Sequence, residues 1–164
     1  MTQPPPAELV GANDEIVRLE GDAVETNVRV DPAAVARTMA TLDAGLAAAG
    51  QADPDRVFLN LENIRGVNDA AVFYVYVNHP SGAVPEALIG AVSLFGVRKA
   101  TATDQAAAGN GITESLEMTD WVDQLRAAGV QDLNDIKVRL VARTAVRPED
   151  NISVGRISIY RQGS

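Results

Sequence analysis

The chain has 164 residues, of which 46% are hydrophobic and none is cysteine, and its formal net charge is -8. One domain of this length buries a core unaided, and the missing thiols exclude a disulfide framework, a thiolate nucleophile and a cysteine metal site. Ten acids face three bases in residues 1–55, and twelve face eleven in 56–164; the sequence therefore lacks a basic nucleic-acid footprint, and anionic membranes would repel its leader.

The opening Met-Thr-Gln-Pro-Pro-Pro has neither the basic nor the apolar part of a targeting segment. No run of about 20 apolar residues could span a bilayer. Residues 1–12 read as an extended linker, because three consecutive prolines favour a polyproline-like lead-in. Ile16–Leu19 and Thr26–Val30 read as two short strands that need a larger body to pair with. Asp31-Pro32 then starts a helix over 32–49, with Asp31 as N-cap and Pro32 in the first position. Val35, Met39, Leu42 and Leu46 recur at near-helical spacing, and Gly50 ends the run.

From residue 56 the period changes to two. Val57, Leu59 and Leu61 fall on one face of a strand over 56–63, with Asn60 and Glu62 on the other. Gly66, Asn68 and Asp69 supply a turn before a β-branched, aromatic strand over 71–78. Pro80 stops that strand, and a loop runs to about Glu86. A third strand over 88–97 places Val92 and Leu94 on one face with Gly90 and Gly96, glycines that suggest a bulge or a close backbone approach. An alanine- and glycine-rich loop follows over 99–112, with Asn110-Gly111 suited to a tight reversal. The remaining elements are a strand over 113–118, a short helix over about 120–128 with Thr119 as cap and Gly129 as stop, and strands over 136–144 and 152–160. Six short strands without crossover helices predict an all-β fold, an antiparallel sandwich or barrel of jelly-roll-like kind with one or two short helices. The division expected is a connector over 1–55 and a self-sufficient β domain over 56–162, with residues 1–30 loosely held.

No catalytic constellation is present, so the expected catalytic, cofactor-binding and metal-ligating sets are each none. His79 is the sole histidine, too few for a zinc or dicopper site that takes three or four protein ligands per ion, and it reads as a satisfied loop residue. Glu114 and Glu117 lie three apart on a strand and face opposite sides. Asp120 and Asp123 share one helical turn, and Asp132 and Asp135 flank another. No nucleophile elbow, dinucleotide turn or phosphate loop occurs. Tyr74, Tyr76 and Trp121 could stack on a sugar, but they read more simply as core.

Four segments carry a resemblance. They are Val57-Phe-Leu-Asn-Leu-Glu-Asn-Ile-Arg-Gly66, Val72-Phe-Tyr-Val-Tyr-Val-Asn78, Gly90-Ala-Val-Ser-Leu-Phe-Gly96 and Val154-Gly-Arg-Ile-Ser-Ile-Tyr-Arg161. In this order they resemble the C-terminal domain of polyphenol oxidases and tyrosinases, and Glu8-Leu-Val-Gly-Ala12 resembles the interdomain connector. The resemblance implies a β-rich lid over a dicopper catalytic domain, conferring latency and assisting folding or copper loading. It also implies that copper belongs to that partner, in the same polypeptide or a separate one, and that a residue projects from this domain into the active-site entrance. The loops 79–87 and 103–112 are the expected places for it. The chain itself is expected not to be an enzyme; the alternative is a stand-alone β-sandwich that binds a protein or a carbohydrate.

Overall fold

Along 57–64 the two-residue period is realised almost without exception: Val57, Leu59, Leu61 and Ile64 are buried, and Phe58, Asn60 and Glu62 lie half-exposed between them. The computed structural model describes residues 7–13, 15–31, 33, 56–101, 111–130 and 135–162. Its strands are β1 (Ala7–Ala12), β2 (Val17–Leu19), β3 (Gly21–Val30), β4 (Arg56–Arg65), β5 (Val72–Asn78), β6 (Ala87–Ser93), β7 (Ile112–Glu117), β8 (Asp135–Val146) and β9 (Ile152–Gln162). Two short helices, α1 (Val97–Thr101) and α2 (Thr119–Ala127), and a 3₁₀ turn at Pro148–Asp150 complete the described elements.

All nine strands belong to one antiparallel sheet of order β6-β5-β8-β3-β1-β9-β4-β7, with β2 also pairing to β9. The expected all-β sandwich or barrel is what forms. The path has a thin middle: β1 and β3 exchange only Gly11↔Val30 and Ala12↔Arg29. One half-sheet is β6-β5-β8-β3, and the other is β1-β9-β4-β7. They fold over a shared core that includes Val75, Val138 and Leu140 from the first half and Leu59, Ile157 and Ile159 from the second, all at most 2% exposed. The ends of the path, β6 and β7, come back into contact, so the barrel is nearly closed.

Several sequence expectations are corrected. The stretch read as a linker, 1–12, contains β1, which pairs with β9 and β3. The N-terminal strands are built into the same sheet, and Val10, Val17, Leu19, Val28 and Val30 lie in the common core. Those short apolar runs hid their role because most of their partners, on β8 and β9, sit more than a hundred residues away. The strand expected over 88–97 ends at Ser93, because the Leu94 amide leaves the ladder for the Ala71 carbonyl (3.0 Å) and Gly96 turns the chain at φ +86°. Thr119 does not cap α2; Met118 holds the N-cap position. The Thr119 hydroxyl instead accepts the buried Val57 amide (2.9 Å) and donates to Glu117 Oε1 (3.2 Å), a stronger claim than the helix end could make. Gly129 ends α2 as expected, at φ +82° with its amide on the Arg126 carbonyl. Asp31 Oδ1 accepts the Ala33 amide (3.1 Å), as an N-cap should; the rest of the helix predicted over 32–49 lies outside the described residues. Of the loop predicted over 99–112, residues 99–101 belong instead to α1 and Ile112 to β7, while 102–110 lie outside the described residues.

Candidate functional site

His79 is buried and organises its own loop. Its Nδ1 accepts the Ser81 amide (3.2 Å) and lies 2.6 Å from the Ser81 hydroxyl, whose oxygen in turn accepts the Ala83 amide. Val84, also buried, pins the far side of the same loop. The loop 79–87 is therefore folded inward, and it exposes no large apolar side chain over 79–86.

The carboxylates remain apart in function as in sequence. Burial pushes the Asp123 carboxyl up against the pull of Arg126, with Asp120 adding to the rise. Glu62 is taken up by Arg156 (2.9 Å) and the Ser158 hydroxyl (2.8 Å). No three His, Cys, Asp or Glu residues converge into a group that could hold a metal ion among the described residues. Of the three aromatics read as core, only Trp121 is buried, at 2% exposure; Tyr74 and Tyr76 lie half-exposed on one outer face of β5, because the alternation sends Phe73, Val75 and Val77 inward, and Arg139 lies 4.8 Å from the Tyr76 ring centre. Among the described residues no helix is long and apolar enough to cross a membrane.

One feature stands out from the surface. Phe95 is 85% exposed, between Leu94 and Val97, which are both fully buried. A single exposed apolar residue is ordinary; the framework around this one is not. Leu94 is tied to Ala71, the Val97 amide returns to the Leu94 carbonyl (2.9 Å), and the Phe95 amide lies 3.4 Å from the Ser93 hydroxyl. Arg98 donates from Nη2 (2.8 Å) and Nε (3.3 Å) to the Val67 carbonyl, and its amide donates to Asp69 Oδ1 (2.9 Å). Burying Leu94 alone contributes about 2 kcal/mol toward holding the turn.

The turn beneath is fixed in its own right. The Val67 amide donates to the Asp150 carbonyl (3.0 Å), and the Asn68 side chain donates to Asp150 Oδ2 (3.3 Å). Asp150 also accepts the Arg147 amide (3.2 Å) and pairs with its guanidinium. Burial alone would raise the Asp150 carboxyl; the Arg147 amide, the Asn68 amide and the Arg147 charge outweigh it and hold the group below the usual carboxylate range. A chain of contacts thus runs from the 3₁₀ turn through residues 67–69 to the turn that carries Phe95. Sequence reasoning missed Phe95. The usable signal was its place after Leu94 in the alternation, which points it outward, followed by a glycine that stops the strand.

Comparison with known proteins agrees with this architecture. The structure of latent aurone synthase, a polyphenol oxidase, matches 92% of this chain and 26% of its own length, at TM-score 0.51 and 15% identity. Latent apple tyrosinase (MdPPO1) matches 90% and 27%, at TM-score 0.50 and 18% identity. At such identities the two establish a shared fold. A tyrosinase of Hahella sp. (strain CCB-MM4), HcTyr1, is 24% identical over 121 residues, covering 73% of this chain and 26% of the relative. The chain thus spans about a quarter of the length of each of these proteins, and the similarity supports a relationship to the tyrosinase family. The family model that matches residues 6–162, nearly the whole chain, is that of a domain of unknown function, and the chain belongs to that family, DUF7868.

Proposed function

We propose that this chain is a non-catalytic cover for a tyrosinase-like dicopper catalytic domain, in the same polypeptide or a separate one, and that Phe95 is the residue it presents to the active-site entrance. The observation that carries the reading is a phenyl ring 85% exposed on a turn whose two flanking apolar residues are fully buried. A ring held out in this way needs little ordering on docking, so most of its burial is kept as binding free energy. The similarity to latent polyphenol oxidases, in which the matching region is a minor part of a longer chain, supports the same reading.

The test uses a tyrosinase-like catalytic domain freed of its own copy of this region, titrated with this chain while diphenol oxidation is followed. The parent chain should inhibit. Phe95→Ala should raise the concentration for half-inhibition about thirty-fold, the scale of a central aromatic anchor, with an unchanged far-UV circular dichroism spectrum. Failure of the parent to inhibit at any concentration would sink the cover reading. Equal inhibition by Phe95→Ala would leave the cover but remove Phe95 from it.

A further inference from the structure

The outer face of the half-sheet β1-β9-β4-β7 carries a cleft of about 390 Å³, lined by Ala7, Phe58, Asn60, Ser115, Tyr160 and Gln162. Strand register brings these six together as three cross-strand pairs: Tyr160 stands opposite Phe58, Ser115 opposite Asn60 and Gln162 opposite Ala7. On β4 and β9 the outward direction follows from alternation, since Val57, Leu59, Leu61, Ile157 and Ile159 are taken by the core.

Two aromatic rings form the floor. Phe58 and Tyr160 are both half-exposed, and directly opposed residues on antiparallel strands have Cβ atoms about 5 Å apart. Tyr160 is also braced. Its hydroxyl accepts Arg156 Nη2 (3.2 Å), Arg156 Nε pairs with Glu62 Oε2 (2.9 Å), and the same oxygen accepts the fully buried Ser158 hydroxyl (2.8 Å). This chain of contacts orients the ring before a ligand arrives, which lowers the ordering cost of binding.

The polar groups around the rings are the carboxamides of Asn60 and Gln162 and the hydroxyl of Ser115, and none of the six lining residues is charged. A ligand for this cleft therefore brings an apolar face for the rings and neutral hydrogen-bonding groups at its edge. A phosphate or carboxylate would lose hydration there with no opposite charge to replace it. A pyranose meets both demands. Its axial C–H bonds make an apolar, slightly positive face that suits the negative face of an aromatic ring. Its hydroxyls donate and accept, as carboxamides and hydroxyls do. Apolar walls with a few placed polar groups, at this volume, are the usual make-up of a small-molecule site.

We propose that this cleft binds a neutral oligosaccharide, with a pyranose ring stacked on Phe58 and Tyr160 and its hydroxyls bonded by Asn60, Ser115 and Gln162. None of these residues belongs to the turn that carries Phe95, so the site stands whether or not the chain covers a catalytic domain. Tyr74, Tyr76 and Trp121, the aromatics that the sequence offers for stacking, take no part.

The full chain is titrated with cellohexaose and with maltohexaose, neutral chains of the same sugar in different linkage. A third titrant is Ac-Pro-Pro-Pro-Pro-Pro-Pro-NH2, a neutral peptide helix that also packs on aromatic grooves. Binding is read from the side-chain amide resonances of Asn60 and Gln162. At least one sugar should give saturable shifts with a Kd of about 1 mM or tighter, and the peptide should bind at least about tenfold more weakly. Tyr160→Ala should weaken the better sugar at least about tenfold. Ser115→Arg, at an exposed position beside the cleft, should do the same by filling it, with a parent-like far-UV circular dichroism spectrum and urea midpoint. Should Tyr160→Ala unfold, Ser115→Arg still decides the matter. No saturable shift from either sugar overturns the proposal. So does peptide binding as tight as the better sugar's, which would make this face a polypeptide-docking surface, or parent-like sugar binding by folded Ser115→Arg.

Discussion

Where β1 meets β3 the join is backbone against backbone; where β6 meets β7, at the free ends of the sheet path, it is a glycine against the end of a leucine side chain. Both joins rely on glycine, and for different reasons. A Cβ at Gly11 would lie 2.3 Å from the Arg29 carbonyl oxygen and 2.8 Å from Val30 Cα, neither of which can move without dismantling β3. A Cβ at Gly90 would meet only the mobile tip of Leu116. The first join is therefore a fixed hinge that sets how the half-sheets curl. The second is a soft closure. A nearly closed barrel thus has one rigid join and one yielding join.

Breaking the fixed join should have the largest effect. Gly11→Val is expected to cost about 3 kcal/mol or more, since the overpacking has no flexible neighbour to absorb it. The readout is the urea midpoint, and a loss below about 1 kcal/mol would show that the β1–β3 pairing is dispensable. At the soft join, Gly90→Ala should cost only about 1 kcal/mol, and nothing in a Leu116→Ala background where the clash is gone. Simple additivity of the two substitutions would contradict the seam described here.

The smallest effect concerns a third link, in which the β4–β5 turn and the β8–β9 turn are tied through Asp150 without strand pairing. Because the folded chain holds this carboxyl below its ordinary value, the stabilisation it provides is complete above about pH 4 and disappears as the pH falls through the folded value. Asp150→Asn should remove that component of the acid-side loss. Superimposable acid unfolding profiles for parent and variant would rule it out.

How much of this was legible differs between the two joins. The strands β4, β5, β8 and β9 alternate cleanly, so their existence, their inward faces and the antiparallel β class follow from local spacing alone. The role of Gly90 was half legible: its place within an apolar run signalled close approach, but not that Leu116 would be what approaches. Gly11 gave no such signal, because β1 is a short run behind three prolines and its partners are Val30 and Ile159. The pairing with Ile159, across almost the whole chain, is fixed by the shape of the assembled core, which no local pattern records. Phe95 was hidden for a related cause: its exposure depends on a strand ending early for a hydrogen bond to Ala71.

β9 sits between β1 and β4 and also pairs with β2, yet it is the last of the described strands in sequence. During synthesis, β1, β2 and one edge of β4 must wait for it. At about 5–20 residues per second, the stretch from β1 to β9 takes roughly ten to thirty seconds to emerge from the ribosome. Through that interval Val10, Val17 and Leu19 lack the β9 side chains they pack with in the finished core. β9 acts as the keystone: without Ile152–Gln162 the other described strands remain, but β1, β2 and β4 lose a strand they all pair with.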